Sequence, residues 1–252
     1  MHTFPMGVPS FFQYIKRKYP MVVEMVSTAS LMPECDNLFI DVNALIHDIS
    51  HNDNDASVYA SYEVVAARLM AEMDRVIMFI NPQKLIYIAV DGTVPRSKMN
   101  QQRERRFVSA ADNGIQQEVV QNEVSFDSNC ISPGTEFMEA VNDILKYYIA
   151  QRLSTDPAWK KLHVIYSSHR HPGEGEHKII DFLRDMIKSG KYNDNDRNIL
   201  LGSDADFILL AQTLHKKNID IVRKADLWNN SMKKLDIKSL NNDVTAATAG
   251  DL

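Results

Sequence analysis

Apolar and polar positions along the chain fall into short β-branched runs separated by longer stretches of helical period. That alternation predicts strands and helices built around a mostly parallel sheet. The first run is Asn37-Leu38-Phe39-Ile40-Asp41, after an amphipathic segment, SFFQYIKRKYP, opened by Pro9. The second spans residues 84–91 (KLIYIAVD). Before it, Val65, Leu69, Val76 and Ile80 recur at helical spacing, predicting a helix over 58–80 that Pro82 ends. A third run, 162–167, follows a helix opened by Pro133-Gly134-Thr135, with Phe137, Val141, Ile144, Leu145 and Tyr148 on one stripe. A fourth, 198–204 (NILLGSD), follows a helix over 177–188 that Gly190 ends. A fifth, 219–223, follows an apolar helix over 206–215. Residues 47–57 and 113–129 read as polar loops, and no internal repeat is visible. Past residue 226 the pattern weakens, so one domain is expected over 6–226 and a poorly packed tail over 227–252.

Composition narrows the class. The chain has 252 residues, 44% apolar and 24% charged, in the range of ordinary globular domains. Cys35 and Cys130 lie far apart with no CxxC and no histidine at zinc spacing, which argues against a disulfide framework and a structural zinc site. No apolar run nears the ~20 residues of a membrane helix. The start, MHTFPMGVPS, has no basic region leading into an apolar core. The expectation is a soluble intracellular protein, cytoplasmic first and nuclear second, with no membrane partner. A P-loop glycine pattern is missing, which weighs against an NTPase. The net charge of −5 argues, over the whole chain, against a polyanionic ligand. Two local features reverse that inference.

The first is acidic. Asp41, Asp91 and Asp204 close predicted strands, Glu174 and Glu176 sit in the loop PGEGEH after another, and Asp206 follows in the turn SDAD. In open parallel sheets the ligand site lies outside the carboxyl ends of the strands, so all six converge on one edge. A single strand-end aspartate is more often a cap or turn former. Six together would repel one another unless cations neutralised them. Hard oxygen ligands suit Mg²⁺, or Mn²⁺, better than zinc. Carboxylates around two such ions serve in-line phosphodiester hydrolysis.

The second is basic. Between residues 96 and 106, Arg96, Lys98, Arg103, Arg105 and Arg106 stand against one acid, Glu104, for a local balance of +4. On a helix, Lys98, Gln102, Arg105 and Arg106 fall at i, i+4, i+7 and i+8, one continuous face. That face offers a point charge, an amide and two planar forks, a set matched to a terminal phosphate. An isolated RxRR would read as a solvated face. Here it directly follows Asp91, so a gripped end would present the nearest phosphodiester to the acids. Exonuclease action from the phosphorylated end is the expectation.

The stretches MGVPSFFQYIKRKYP, NLFIDVNALIHD, AVDGTVPRSKMNQQRERRF, FDSNCISPGTEFM, HPGEGEHKI and GSDADFILL resemble, in order, the N-terminal conserved region of the XRN-type 5′-to-3′ exoribonucleases. The likeness runs from Met6 to about Lys224. It implies an α/β, PIN/FEN-like nuclease domain with a mostly parallel central sheet flanked by helices. The implied activity is Mg²⁺-dependent degradation of single-stranded RNA bearing a 5′-monophosphate. By position, Asp41, Asp91, Glu174, Glu176, Asp204 and Asp206 match family metal-site acids. Lys98, Gln102, Arg105 and Arg106 match its 5′-phosphate pocket, and His47 a histidine near the scissile phosphate. The chain departs from the family at Glu104 and Ala44, where glycine is usual, and Met6 marks the expected start. A second conserved region, which in the family supplies another metal-site aspartate and a base-stacking aromatic, is not among these residues. That leaves a second reading, a module that binds 5′-phosphorylated RNA without turning it over, or one that needs another chain to supply the further region. A third is a flap-type DNA nuclease, and a fourth a fragment of a longer product.

His169, His171 and His177 flank PGEGEH without an HxxxH pair and read as polar loop residues rather than ligands. Trp159, in DPAWKK, reads as a partly buried anchor; Trp228 has no assigned role.

Overall fold

A computed structural model describes residues 11–50, 62–96, 98–100, 102, 103, 107, 128–226 and 231–242. Its strands are β1 (Val23–Val26), β2 (Cys35–Asp41), β3 (Pro82–Ala89), β4 (His163–Ser167), β5 (Asn198–Leu201), β6 (Ile219–Asp226) and β7 (Ser231–Asp236). They form one sheet in the order β1-β7-β6-β5-β2-β3-β4. β6, β5, β2, β3 and β4 run parallel, and β7 pairs antiparallel with both β6 and β1. The helices include α1 (Phe11–Lys18), α2 (Val42–Ser50), α3 (Tyr62–Ile80), α4 (Glu136–Thr155), α5 (Gly175–Lys188) and α6 (Asp206–Gln212). The expected α/β architecture, a mostly parallel sheet flanked by helices, is present.

Alternation along the central strands divides the core in two, because successive side chains point to opposite faces. Leu38, Ile40, Ile86 and Ile88 pack with Leu69, Met73 and Val76 of α3 and with Leu145 and Tyr148 of α4. Phe39, Tyr87 and Leu200 face the other way, onto Ile179 and Leu183 of α5, Phe207 of α6 and Phe12 of α1. All four positions of the predicted α3 stripe are buried. Thr135 caps α4, its Oγ1 accepting from the Met138 N–H at 3.3 Å. Gly190 follows α5 at φ +69°, the left-handed stop expected of it. Trp159 is buried edge-on against Tyr148, with ring centroids 5.5 Å apart.

Three expectations need correction. Residues 47–50 are helical, not loop, because Leu45 and Ile46 bury against the first core and carry α2 onward. The chain after residue 226 is not poorly packed where it is described. Ser231–Asp236 inserts between β6 and β1, residues 237–242 turn into a helix, and Met232, Leu235, Ile237 and Leu240 are buried. Met232 and Leu235 sit three apart, a spacing with no strand period, so pairing on both sides makes this strand. β5 ends at Leu201, leaving residues 202–205 as a loop that carries Asp204 off the sheet. The expected segments 51–61, 113–127 and 243–252, and Trp228, lie outside the described residues. Among the described residues no helix is long and apolar enough to cross a membrane.

Candidate active site

Parallel register sets the acids side by side. Ile40 pairs with Leu201 and Asp41 with Ala89, so β2, β3 and β5 end together. Asp41 is the last residue of β2, Asp91 lies two past β3, and Asp204 three past β5. Glu174 is the N-cap of α5, Glu176 sits in its first turn, and Asp206 opens α6. Asp204 is exposed at the rim while Asp41 and Glu176 are buried, so the cluster runs from solvent into the sheet edge.

Short contacts fix this arrangement. The Asn43 N–H donates to Asp41 Oδ1 at 3.1 Å, and Asn43 Oδ1 accepts from the Asp91 N–H at 2.9 Å. Gly175 N–H donates to Asp91 Oδ1 at 2.7 Å, aiming the positive end of α5 at that carboxylate. Gly175 also packs where a side chain cannot: a Cβ there would lie 2.5 Å from Asp41 Oδ1. Lys178, buried on the same helix, donates to Val90 O at 2.7 Å and to Ser168 O at 2.9 Å, tying α5 to the ends of β3 and β4. Gly173, at φ +102°, makes the turn that brings the loop back over the Lys178 stem.

The electrostatics are those of crowded acids. Burial pushes Asp41 well above the ordinary carboxylate range, and the charges of Asp91 and Glu176 push it further, against the pull of the Asn43 N–H. Asp91 is raised by burial, then held back by the Gly175 N–H and raised again by Glu174. Glu176 is pushed up to about 8, first by burial and then by Asp204 and Glu174. Lys178 is brought down to about 8 by burial, with Asp91 opposing. Both carboxylate oxygens of Glu176 are buried and, among the described residues, have no hydrogen-bond partner. A protein-only arrangement leaves that penalty standing. Divalent cations bound by oxygen ligands relieve both the orphaned oxygens and the mutual repulsion, so the residues present fit Mg²⁺ or Mn²⁺.

The basic segment lies against this cluster. Arg96, Lys98, Met99, Asn100, Gln102 and Arg103 are helical; Lys98 and Gln102 are half-buried, whereas Met99, Asn100 and Arg103 are exposed. Lys98 forms an ion pair with Glu174. Burial works against the Lys98 charge, but Glu174 outweighs it and holds the ammonium above its ordinary value. Arg105 and Arg106 lie outside the described residues. His47 is half-buried on α2, the helix that leads away from Asp41.

Sequence reasoning missed Asn43, Gly175 and Lys178. The readable signal was Asp41, whose side chain accepts the backbone N–H two residues on, whereas the bond from Asn43 to Asp91 exists only once β2 and β3 pair. The other two act through contacts that exist only once α5 docks. His177, set aside as loop, stands with its ligand atom and those of Glu174 and Glu176 within 4.8 Å of one another.

A family model described as XRN 5′-3′ exonuclease N-terminus matches residues 6–225. The chain belongs to this family. Among family members, 5′-3′ exoribonuclease 1 of Saccharomyces cerevisiae is 39% identical over 91% of the chain, and the human enzyme of that name 40% identical over 87%. 5′-3′ exoribonuclease 2 of Kluyveromyces lactis is 37% identical over 91%. The chain spans only 16%, 13% and 26% of these three proteins. A solved complex of the Rad2 catalytic core with DNA aligns over 93% of this chain and 56% of that one, with a TM-score of 0.49 and 16% identity.

Proposed function

We propose that the chain hydrolyses single-stranded RNA from a 5′-monophosphate end in the 5′-to-3′ direction, as part of RNA decay. The observation that carries the chemistry is Glu176, whose two buried oxygens accept no hydrogen bond from the described residues and sit amid further acids. In this reading Asp41, Asp91, Glu174, Glu176, Asp204 and Asp206 hold two Mg²⁺, with Mn²⁺ as a substitute. When bound, the ions supply water activation and charge neutralisation at the attacking and leaving oxygens. Lys98, Gln102, Arg105 and Arg106 grip the terminal monophosphate. His47 orients the leading nucleotide. The relatives named exoribonucleases 1 and 2 support the reading.

The test is digestion of end-labelled RNA bearing a 5′-monophosphate or a 5′-triphosphate, with and without Mg²⁺. The monophosphate substrate alone should decay, and only with the cation. Equal decay of both ends, or decay in chelator, contradicts the proposal. Tight RNA binding abolished by Arg105→Ala, without product in Mg²⁺ or Mn²⁺, replaces it with a module that binds 5′-phosphorylated RNA without turning it over, or one that needs a second chain to supply the further region.

A further inference from the structure

One side chain beside the acids has the wrong chemistry for a purely hard-cation centre. His177 follows Glu176 at the start of α5 and is 47% exposed, so its ring is open to solvent. Its Nδ1 lies 3.7 Å from Glu176 Oε1. Ligand atoms of Glu174, Glu176 and His177 all fall within 4.8 Å of one another. Two donors on one tetrahedral ion at 2.0–2.2 Å stand about 3.4 Å apart, so the Glu176–His177 pair is already near ligating separation. The third donor needs only a small side-chain movement. The buried oxygens of Glu176, which accept no hydrogen bond from the described residues, mark this spot independently as one where a cation would be held.

We propose that Glu174, Glu176 and His177 form a capture site for a late first-row transition ion, Zn²⁺ foremost, which competes with Mg²⁺ for the two glutamates. The inference rests on Glu174 and Glu176 being cation ligands, as in the proposed function. An imidazole nitrogen adds affinity for Zn²⁺ and its neighbours in the series but little for Mg²⁺, which keeps to oxygen and water. Zn²⁺ held by three side chains and one water takes Glu174 and Glu176 out of the hydrolytic arrangement, so trace zinc acts as a brake that Mg²⁺ relieves. Lys98 opposes capture, because its ammonium already pairs with Glu174.

The experiment is calorimetric titration of the EDTA-stripped chain with ZnCl₂ and, separately, MgCl₂, for the natural sequence, His177→Gln and Lys98→Met. Melting curves check that each variant is folded; the exposure of His177 leaves little packing to lose. His177→Gln should weaken Zn²⁺ at least tenfold relative to Mg²⁺, and Lys98→Met should tighten Zn²⁺ severalfold. In Co²⁺-loaded protein, the visible spectrum should change on loss of the nitrogen donor. Equal Zn²⁺ affinity in His177→Gln and the natural chain, with an unchanged Co²⁺ spectrum, overturns the proposal. Mg²⁺-dependent RNA decay with His177-independent zinc binding would remove the capture site alone. Zinc binding that depends on His177 in a chain that degrades no RNA would remove the exonuclease reading alone.

Discussion

The same three strands, β2, β3 and β5, carry polar groups at both ends, and the two ends are opposites. At the amino ends, Lys84 Nζ lies 3.0 Å from Asp36 Oδ1 and 2.6 Å from Asp196 Oδ1. Asp36 Oδ2 accepts the Arg197 N–H at 2.9 Å, and Asn37 Nδ2 donates to Asn198 Oδ1 at 2.9 Å. The Arg197 N–H, followed by Lys84, holds Asp36 below its ordinary value. At the carboxyl ends, burial and other acids hold Asp41, Asp91 and Glu176 above theirs. One pole satisfies its charges internally, and the other does so only in part, with Lys98 on Glu174 and N–H groups on Asp41 and Asp91. Acids lowered by their partners hold a fold together, whereas buried acids raised by one another, despite the Asn43 and Gly175 N–H groups and the Lys98 ion pair, are maintained at a cost to stability and point to a ligand.

Substitutions can break that contrast. The largest effect is expected of Asp41→Asn, which removes a charge from the crowded pole. RNA hydrolysis should fall about 100- to 1000-fold, while the melting temperature without added cation stays level or rises. A variant that melts much earlier would place Asp41 with the structural acids. Gly175→Ala comes next. Its methyl would meet Asp41 Oδ1 at 2.5 Å, so Mg²⁺ affinity measured by calorimetry should drop about tenfold, with about 1–3 kcal/mol of stability lost to overpacking. Asp36→Ala probes the other pole. It should cost about 1 kcal/mol in urea unfolding and leave the rate of RNA decay unchanged.

The smallest effect sharpens the comparison by an exception. Asp220, buried near the start of β6, is raised by burial and by Asp236, with Lys234 opposing. A carboxyl raised in the folded state contributes stability below the ordinary carboxylate range and loses it as pH rises through the folded value. Asp220→Asn should therefore be the more stable protein at neutral pH, by on the order of 1 kcal/mol. The difference should vanish below about pH 4 in pH-resolved urea melts.

The sequence made these poles unequally visible. Strands β2 to β6 announce themselves because each is a short apolar run closed by a turn, and the acids at their carboxyl ends follow from strand direction alone. The helical face of Lys98 and Gln102 was readable from spacing, and both are half-buried as one face would be. β1 and β7 were not readable. Val-Glu-Met-Val is four residues long, and in β7 the two lysines between Met232 and Leu235 carry no apolar signal. Lys234 is fixed by Glu24 across the sheet at 3.0 Å, an interaction that exists only after pairing. The internally satisfied amino-terminal pole was invisible for the same reason: Lys84 meets Asp36 and Asp196 from distant points of the chain. What sequence could not show at the acidic pole is which carboxylate accepts no hydrogen bond from the described residues, since that depends on everything packed around Glu176.

Glu176 therefore provides the most direct test. Melting temperature should be followed against MgCl₂ for the natural chain and for Glu176→Gln. A cation that binds only the folded state raises stability with its concentration. The natural chain should show a saturable rise, and Glu176→Gln should start at an equal or higher melting temperature and show none. A flat response of the natural chain, or an equal rise in both proteins, would contradict the assignment of the acidic pole as a cation centre.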